Sequence, residues 1–192
     1  MPSQLSLFAA DALPPSIDDV EGLLAGPGQV VEHAGRARVS TLLDDPLRAE
    51  PLQAALATLG LETERATTED GRTVVRTAST PALAGLAARW RSGAVKTPPA
   101  GFVLDGPRLR LWCLSAGHPD GAGYLLRVGE HDEDAWAPLG AALSAAGLAA
   151  TFLGPRGGGP GYRVVGVRRL RRLCELVGDP PEGLPDHLWP AG

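Results

Sequence analysis

The sequence predicts an α+β fold made of two copies of one αββαββα unit built on antiparallel hairpins. The first observation behind this is an ungapped internal match at an offset of 87 residues. Leu52, Ala54, Ala55, Leu56, Gly60, Leu61, Arg76, Leu83 and Leu86 pair with Leu139, Ala141, Ala142, Leu143, Gly147, Leu148, Arg163, Leu170 and Leu173. The second is that both copies run through the same order of patterns: a strand region, an amphipathic helix, a hairpin and a closing helix.

Ser16 can cap a helix over residues 17–25, with Asp19 at the capping-box position. Residues 36–43 and 124–128 alternate as strands, and the unit is complete if each strand region is a pair. Residues 45–59 and 134–146 have helical spacing and end at Gly60 and Gly147, placed as C′ glycines. Hairpins follow: residues 61–67 and 73–77 flank Glu69-Asp70-Gly71, and residues 149–153 and 162–167 flank a glycine-rich loop over 157–161. Leu83, Leu86 and Trp90 in one copy, and Leu170, Leu173 and Val177 in the other, recur at the spacing of closing helices. The resulting division is a tail over 1–15, repeat one over 16–97, a linker over 98–108, repeat two over 109–178, and a proline-rich tail over 179–192.

A chain of 192 residues with 44% hydrophobic content is long enough to bury a core. No apolar run has membrane length and the start lacks a signal-peptide pattern, so a cytoplasmic protein is expected. Cys113 and Cys174 each sit in an apolar stretch, as small core side chains in a reducing compartment do. Lys96 is the single lysine among the basic residues, and the abundance of Arg, Ala, Gly and Pro points to a high-GC bacterial, actinobacterial-type genome. Net charge is −4, yet all 18 basic residues lie within 28–175 while seven of the 22 acids lie outside it, which leaves the middle at +3. Arg36 and Arg38 share one strand face, with Arg127 in phase by the repeat offset. Arg72 and Arg76 share a face on the hairpin return strand, and Arg163 repeats Arg76. These six arginines repeat a cation on one sheet face of both units. Arg168, Arg169, Arg171 and Arg172 form a second basic patch around the Leu170/Leu173 stripe.

The first eight residues carry a different signal. Gln4-Leu5-Ser6-Leu7-Phe8 resembles the Gln-Leu-(Ser/Asp)-Leu-Phe peptide by which bacterial polymerases and repair proteins hold the β sliding clamp, the DNA polymerase III β subunit. Adjacent Leu7 and Phe8 suit an apolar pocket, Gln4 supplies amide donors and an acceptor, and Pro14-Pro15 favour an extended tether behind the motif. The resemblance implies a micromolar docking peptide.

The opening helices carry a second resemblance. Gly22-Leu23-Leu24-Ala25-Gly26-Pro27-Gly28 and Leu109-Arg110-Leu111-Trp112-Cys113-Leu114-Ser115-Ala116-Gly117 resemble worn forms of the LAGLIDADG helix of homing endonucleases. Trp90, Gly93, Lys96 and Pro98 resemble the segment that precedes that motif in single-motif members. The resemblance implies two helices packed at the pseudo-twofold interface and a saddle-shaped sheet whose helix-free face lies on DNA, so that Arg36, Arg38, Arg72, Arg76, Arg127 and Arg163 become the candidate contacts to double-stranded DNA, through phosphates and with salt-sensitive affinity. It also implies that the internal duplication replaces a dimer, so a monomer is expected. Members that cleave DNA need a metal-holding acid at the penultimate motif position. Those positions are Pro27 and Ala116, so the chain is expected to be no enzyme, with no metal, cofactor or catalytic residue; a shifted second motif would offer Asp120. The expected role is that of a clamp-bound accessory or regulator of DNA replication or repair. A transcription regulator similar to the WhiA family, which carries a degenerate domain of this kind plus a helix-turn-helix, and a clamp-recruited endonuclease are the rivals.

No other catalytic set stands out. His33, His118, His131 and His187 lack ligand spacing. The glycine loop lacks the Lys-Ser/Thr of a phosphate loop, and His131-Asp132-Glu133-Asp134 reads as an acidic helix start.

Overall fold

The computed structural model describes residues 9–192 apart from Ala94 and Gly158. In the first repeat a 3₁₀ turn (Ile17–Val20) leads into α1 (Glu21–Ala25), then β1 (Gln29–His33), β2 (Arg36–Leu43), α2 (Ala49–Thr58), β3 (Thr63–Thr67), β4 (Thr73–Thr77) and α3 (Ala84–Arg89). A two-stranded hairpin, β5 (Arg91–Ser92) and β6 (Val95–Lys96), joins this to α4 (Gly106–Ala116). The second repeat continues with β7 (Gly117–Asp120), β8 (Gly123–Arg127), α5 (Glu133–Ala145), β9 (Thr151–Leu153), β10 (Gly161–Val165) and α6 (Val167–Val177). Each repeat forms one antiparallel sheet, ordered β1-β2-β4-β3 and β7-β8-β10-β9. The two orders are the same when repeat-equivalent strands are matched, so the fold is a duplicated α+β unit.

Local chemistry accounts for the main boundaries. The capping box forms: the Ser16 hydroxyl accepts from Asp18 N–H, and Ser16 N–H donates to Asp19 Oδ2 at 3.0 Å. Gly60 and Gly147 take φ of +75° and +81°, a region costly for a side chain. The bonds that close α2 and α5 are equivalent: Leu61 N–H to Leu56 O and Leu148 N–H to Leu143 O. Strand β2 alternates strictly, with Ala37, Val39, Thr41 and Leu43 buried and Arg36 and Arg38 exposed. The buried set faces the helices.

Helices α1 and α4 pack against each other at the centre. Leu23, Leu24, Leu109, Trp112 and Leu114 are fully buried around the crossing. Gly22 permits the close approach, since a Cβ there would overlap the Arg108 carbonyl oxygen. Cys113 is buried and free, and its thiol pKa is driven up by burial. Cys174 is half-buried, free, and held against the Pro190 carbonyl at 3.3 Å.

Three boundaries differ from the sequence reading. Residues 9–15 do not form an extended tether: Ala9 is buried, and Ala10–Ala12 form a 3₁₀ turn against α4 and α6. Residues 106–108, assigned to the linker, form the first turn of α4, capped by Asp105, whose carboxylate accepts from Arg108 N–H. The proline-rich segment 179–192 folds back, burying Leu184, Leu188 and Trp189 and donating the Trp189 indole N–H to Gly178 O at 2.9 Å. Its apolar anchors are spaced among prolines with no helical or strand period, so no sequence pattern marks their packing.

Candidate nucleic-acid interface and the helix ends

The sheet faces not covered by helices carry the candidate arginines. Cross-strand partners point to the same face, so register fixes the neighbours. In the first sheet Ser40 pairs with Arg76, Arg76 with Glu64, and Ser40 with Gln29. In the second, Leu125 pairs with Arg163, Arg163 with Thr151, and Leu125 with His118. Arg76 and Arg163 therefore occupy equivalent rows in the two sheets. By pairing, Leu125 corresponds to Ser40, an offset of 85 instead of 87. A slip of two residues keeps every side chain on its face, and the facing read from sequence survives it.

Five of the six candidate arginines have a partner. Arg76 lies 3.2 Å from Glu64, Arg163 2.7 Å from Asp120, Arg127 3.2 Å from Asp44 and Arg72 2.6 Å from Asp70. Arg36 donates to the Ser79 carbonyl. Arg38 has no ion pair among the described residues. Hydrogen bonds from Thr68 and Arg72 hold the Asp70 carboxyl below its usual range. These pairs are exposed or half-exposed, so each is worth roughly 0–1 kcal/mol and a phosphate can displace the acid. The Arg127–Asp44 pair links the second sheet to the end of β2 and so bridges the seam between the repeats.

Sequence reasoning missed the polar groups at the ends of α1 and α4. Lys96, delivered by β6, donates to Gly26 O and Gly28 O at 2.8 Å each, and its Nζ lies 2.6 Å from Asp132 Oδ2. Gln29 Nε2 also donates to Asp132 Oδ2, at 3.3 Å. Lys96 and Asp132 are each 7% exposed. Burial pushes the Lys96 pKa down, against the opposing pull of Asp132. At the other helix, buried Arg48 donates to Cys113 O, Leu114 O, Gly117 O and Leu188 O at 2.5–3.1 Å. Each central helix thus has a buried cation at its C-terminal end, donating to carbonyls of the last turn or just beyond it. Arg48 lies in an ordinary helix-start stretch with no motif around it, so no sequence signal marked it.

Pro27 and Ala116, at the motif positions that hold acids in metal-dependent members, supply no side-chain oxygen. Asp132 at the α1 end is engaged by Lys96, and Asp120 at the tip of β7 by Arg163. Among the described residues no three His, Cys, Asp or Glu side chains come together as metal ligands. No helix among the described residues is long and apolar enough to cross a membrane. The motif residues Gln4, Leu5, Ser6, Leu7 and Phe8 lie outside the described residues.

No protein-family model and no curated protein sequence matches the chain. Among solved structures, it is similar to the homing endonuclease I-WcaI bound to its DNA recognition sequence. The likeness covers 91% of this chain and 82% of that one, at a TM-score of 0.59 and 10% sequence identity, and is one of fold. It corrects the expectation that the chain is no enzyme, because the protein of similar fold is an endonuclease and missing helix-end acids do not carry a non-enzyme assignment. The chain has a homing endonuclease-like, LAGLIDADG-like fold.

Proposed function

We propose that this protein binds double-stranded DNA through the open faces of its two sheets and is held at the β sliding clamp by residues 4–8, acting in DNA replication or repair. The observation that carries the DNA half is the matched pair Arg76 and Arg163, which repeats a cation at the same row of both sheets; Arg38, on the same face, has no ion pair among the described residues. The protein of similar fold is bound to its DNA recognition sequence, which supports DNA as the partner. Phosphate contacts by arginines that first leave weak acid partners give modest, salt-sensitive and largely sequence-independent affinity.

The clamp half rests on the five-residue match at positions 4–8. With residue 9 packed on the domain, the eight preceding residues can span at most about 26–29 Å. A clamp holding the motif would stay within that reach, and tethering would raise the local concentration of clamp-encircled DNA at the saddle. Titration of the full chain with purified clamp, comparing the natural sequence with Leu7→Ala plus Phe8→Ala, tests this half; equal binding by both contradicts it.

A clamp-recruited endonuclease is the second reading, favoured by the fold likeness to an endonuclease. Magnesium-dependent nicking of supercoiled plasmid by the purified chain supports it, and intact plasmid contradicts it.

A further inference from the structure

The internal duplication supplies a control for the surface of α6. At an offset of 87 residues, Leu170 and Leu173 repeat Leu83 and Leu86, so the buried stripe is common to both closing helices. The outward positions are not: Arg168, Arg169, Arg171 and Arg172 stand where the first repeat has Pro81, Ala82, Ala84 and Gly85. A closing helix in this fold therefore needs no cationic face for packing. Core constraints leave these four positions open, and the second repeat fills all of them with arginine.

Arg168, Arg169 and Arg171 are exposed, and none has an acid partner among the described residues. Arg169 donates to the Val165 carbonyl, and Arg172 lies 3.5 Å from Glu175. Here the second repeat differs from the open sheet face, where most candidate arginines are already paired with acids. Between the end of α5 and the start of α6 lies an open concavity of about 660 Å³, whose lining includes Gly147, Gly166, Arg168, Arg169, Arg172 and one acid, Glu175. The helix side of α6 is fixed by buried Leu173, Leu176 and Val177, so the arginines project from the helix layer, on the side away from the open sheet face.

We propose that this arginine face is a second binding surface for a nucleic-acid phosphate backbone, separate from the saddle, so that one molecule holds two DNA segments. The proposal extends the DNA reading above and rests on it for the class of ligand. A phosphate backbone is favoured over an acidic protein because the patch has almost no apolar anchor. Val167 is its one large exposed hydrophobic side chain among the described residues, whereas protein interfaces centre on a desolvated apolar or aromatic core. Arginine forks match phosphate oxygens in pairs and need no such core.

The test uses the full chain, under conditions where sedimentation shows a monomer, with one duplex anchored to a surface and a second, fluorescent duplex in solution. The natural protein should capture the second duplex on the first. Arg168→Gln, Arg169→Gln and Arg171→Gln together should reduce that capture at least tenfold. The same variant should keep single-duplex binding through the saddle, and its circular dichroism and melting should be unchanged. In the variant Arg38→Glu, Arg76→Glu, Arg163→Glu, the remaining single-duplex binding should have a log-log salt slope of no more than about 0.9 per α6 contact. Undiminished capture by the α6 variant overturns the proposal. So does retention of polyglutamate, by this face alone, that duplex DNA fails to displace, since the partner would then be an acidic protein. If the saddle variant binds a single duplex normally while the α6 variant does not, the saddle reading fails and the α6 surface stands.

Discussion

Lys96 Nζ sits 2.6 Å from Asp132 Oδ2, and this buried ion pair ties the end of the first repeat to the start of α5 in the second. The same ammonium closes the carbonyl end of α1 through Gly26 and Gly28. Three constraints converge on one side chain: a helix end, a repeat junction and a buried charge. Removing it strands all three.

Lys96→Met should therefore destabilise the fold by about 3–5 kcal/mol, the range for breaking a buried pair by deleting one partner. In a chain of this size that lowers the melting temperature by roughly 2–4 °C per kcal/mol. Adding Asp132→Asn to that variant should recover part of the loss, because the uncompensated carboxylate is gone. A double-mutant cycle by urea unfolding checks both. Equal stability of Lys96→Met and the natural protein would contradict the role given to the pair.

The glycines at the helix crossing give a sharper pair of outcomes. Gly22→Ala places a Cβ onto the Arg108 carbonyl and should cost about 1–3 kcal/mol as α1 and α4 are forced apart. Gly85→Ala in α3 meets nothing closer than the far end of Arg89 at 3.9 Å, and should be neutral or stabilising by about 0.5–1 kcal/mol. Thermal melts of the two variants in one buffer decide the point.

Much of this architecture was legible in the sequence. Gly60 and Gly147 ended their helices because a C′ glycine has one physical use there, and Ser16 with Asp19 made its capping box from local bonds alone. The facing of Arg36, Arg38, Arg76 and Arg163 followed from strand alternation, which a two-residue slip between the repeats leaves intact. The roles of Arg48, Lys96 and Asp132 were not legible, because each acts on a group 36 to 140 residues away in the chain. The acid partners of the sheet arginines were hidden for a related reason. Glu64 serves Arg76 from β3, while Asp120 serves Arg163 from β7, so the repeat conserves the cation and not its partner.

Asp19 sets a pH dependence. Burial raises its pKa above 3.8, with Asp105 and Asp18 adding to the rise, while Ser16 N–H and Arg108 pull it down. The folded state then binds this proton more readily than the unfolded chain, so acidification from the folded pKa toward 3.8 adds stability from this group, and no further gain comes below that. The stability difference between the natural protein and Asp19→Asn, measured by urea unfolding across the acidic range, should shift toward the natural protein as pH falls through that window. A shift in the opposite direction would contradict the assigned burial effect.

At the clamp, a labelled peptide of residues 1–15 should bind with roughly micromolar affinity. Leu7→Ala plus Phe8→Ala should abolish that binding, since the burial of each apolar anchor is worth about 1.5–3 kcal/mol. Fluorescence anisotropy against purified clamp measures both, and an unchanged affinity in the substituted peptide would contradict docking through residues 4–8.

The central claim, DNA held by the two open sheet faces, is tested most directly by the salt dependence of duplex binding at equilibrium. The comparison is between the natural chain and the variant Arg38→Glu, Arg76→Glu, Arg163→Glu, both in the Arg168→Gln, Arg169→Gln, Arg171→Gln background. The natural saddle should bind duplex with affinity that falls linearly on a log-log salt plot, by about 0.9 per phosphate contact, and charge reversal should remove that binding. Absence of duplex binding by the intact saddle at low salt, or binding unchanged by the three reversals, would contradict it.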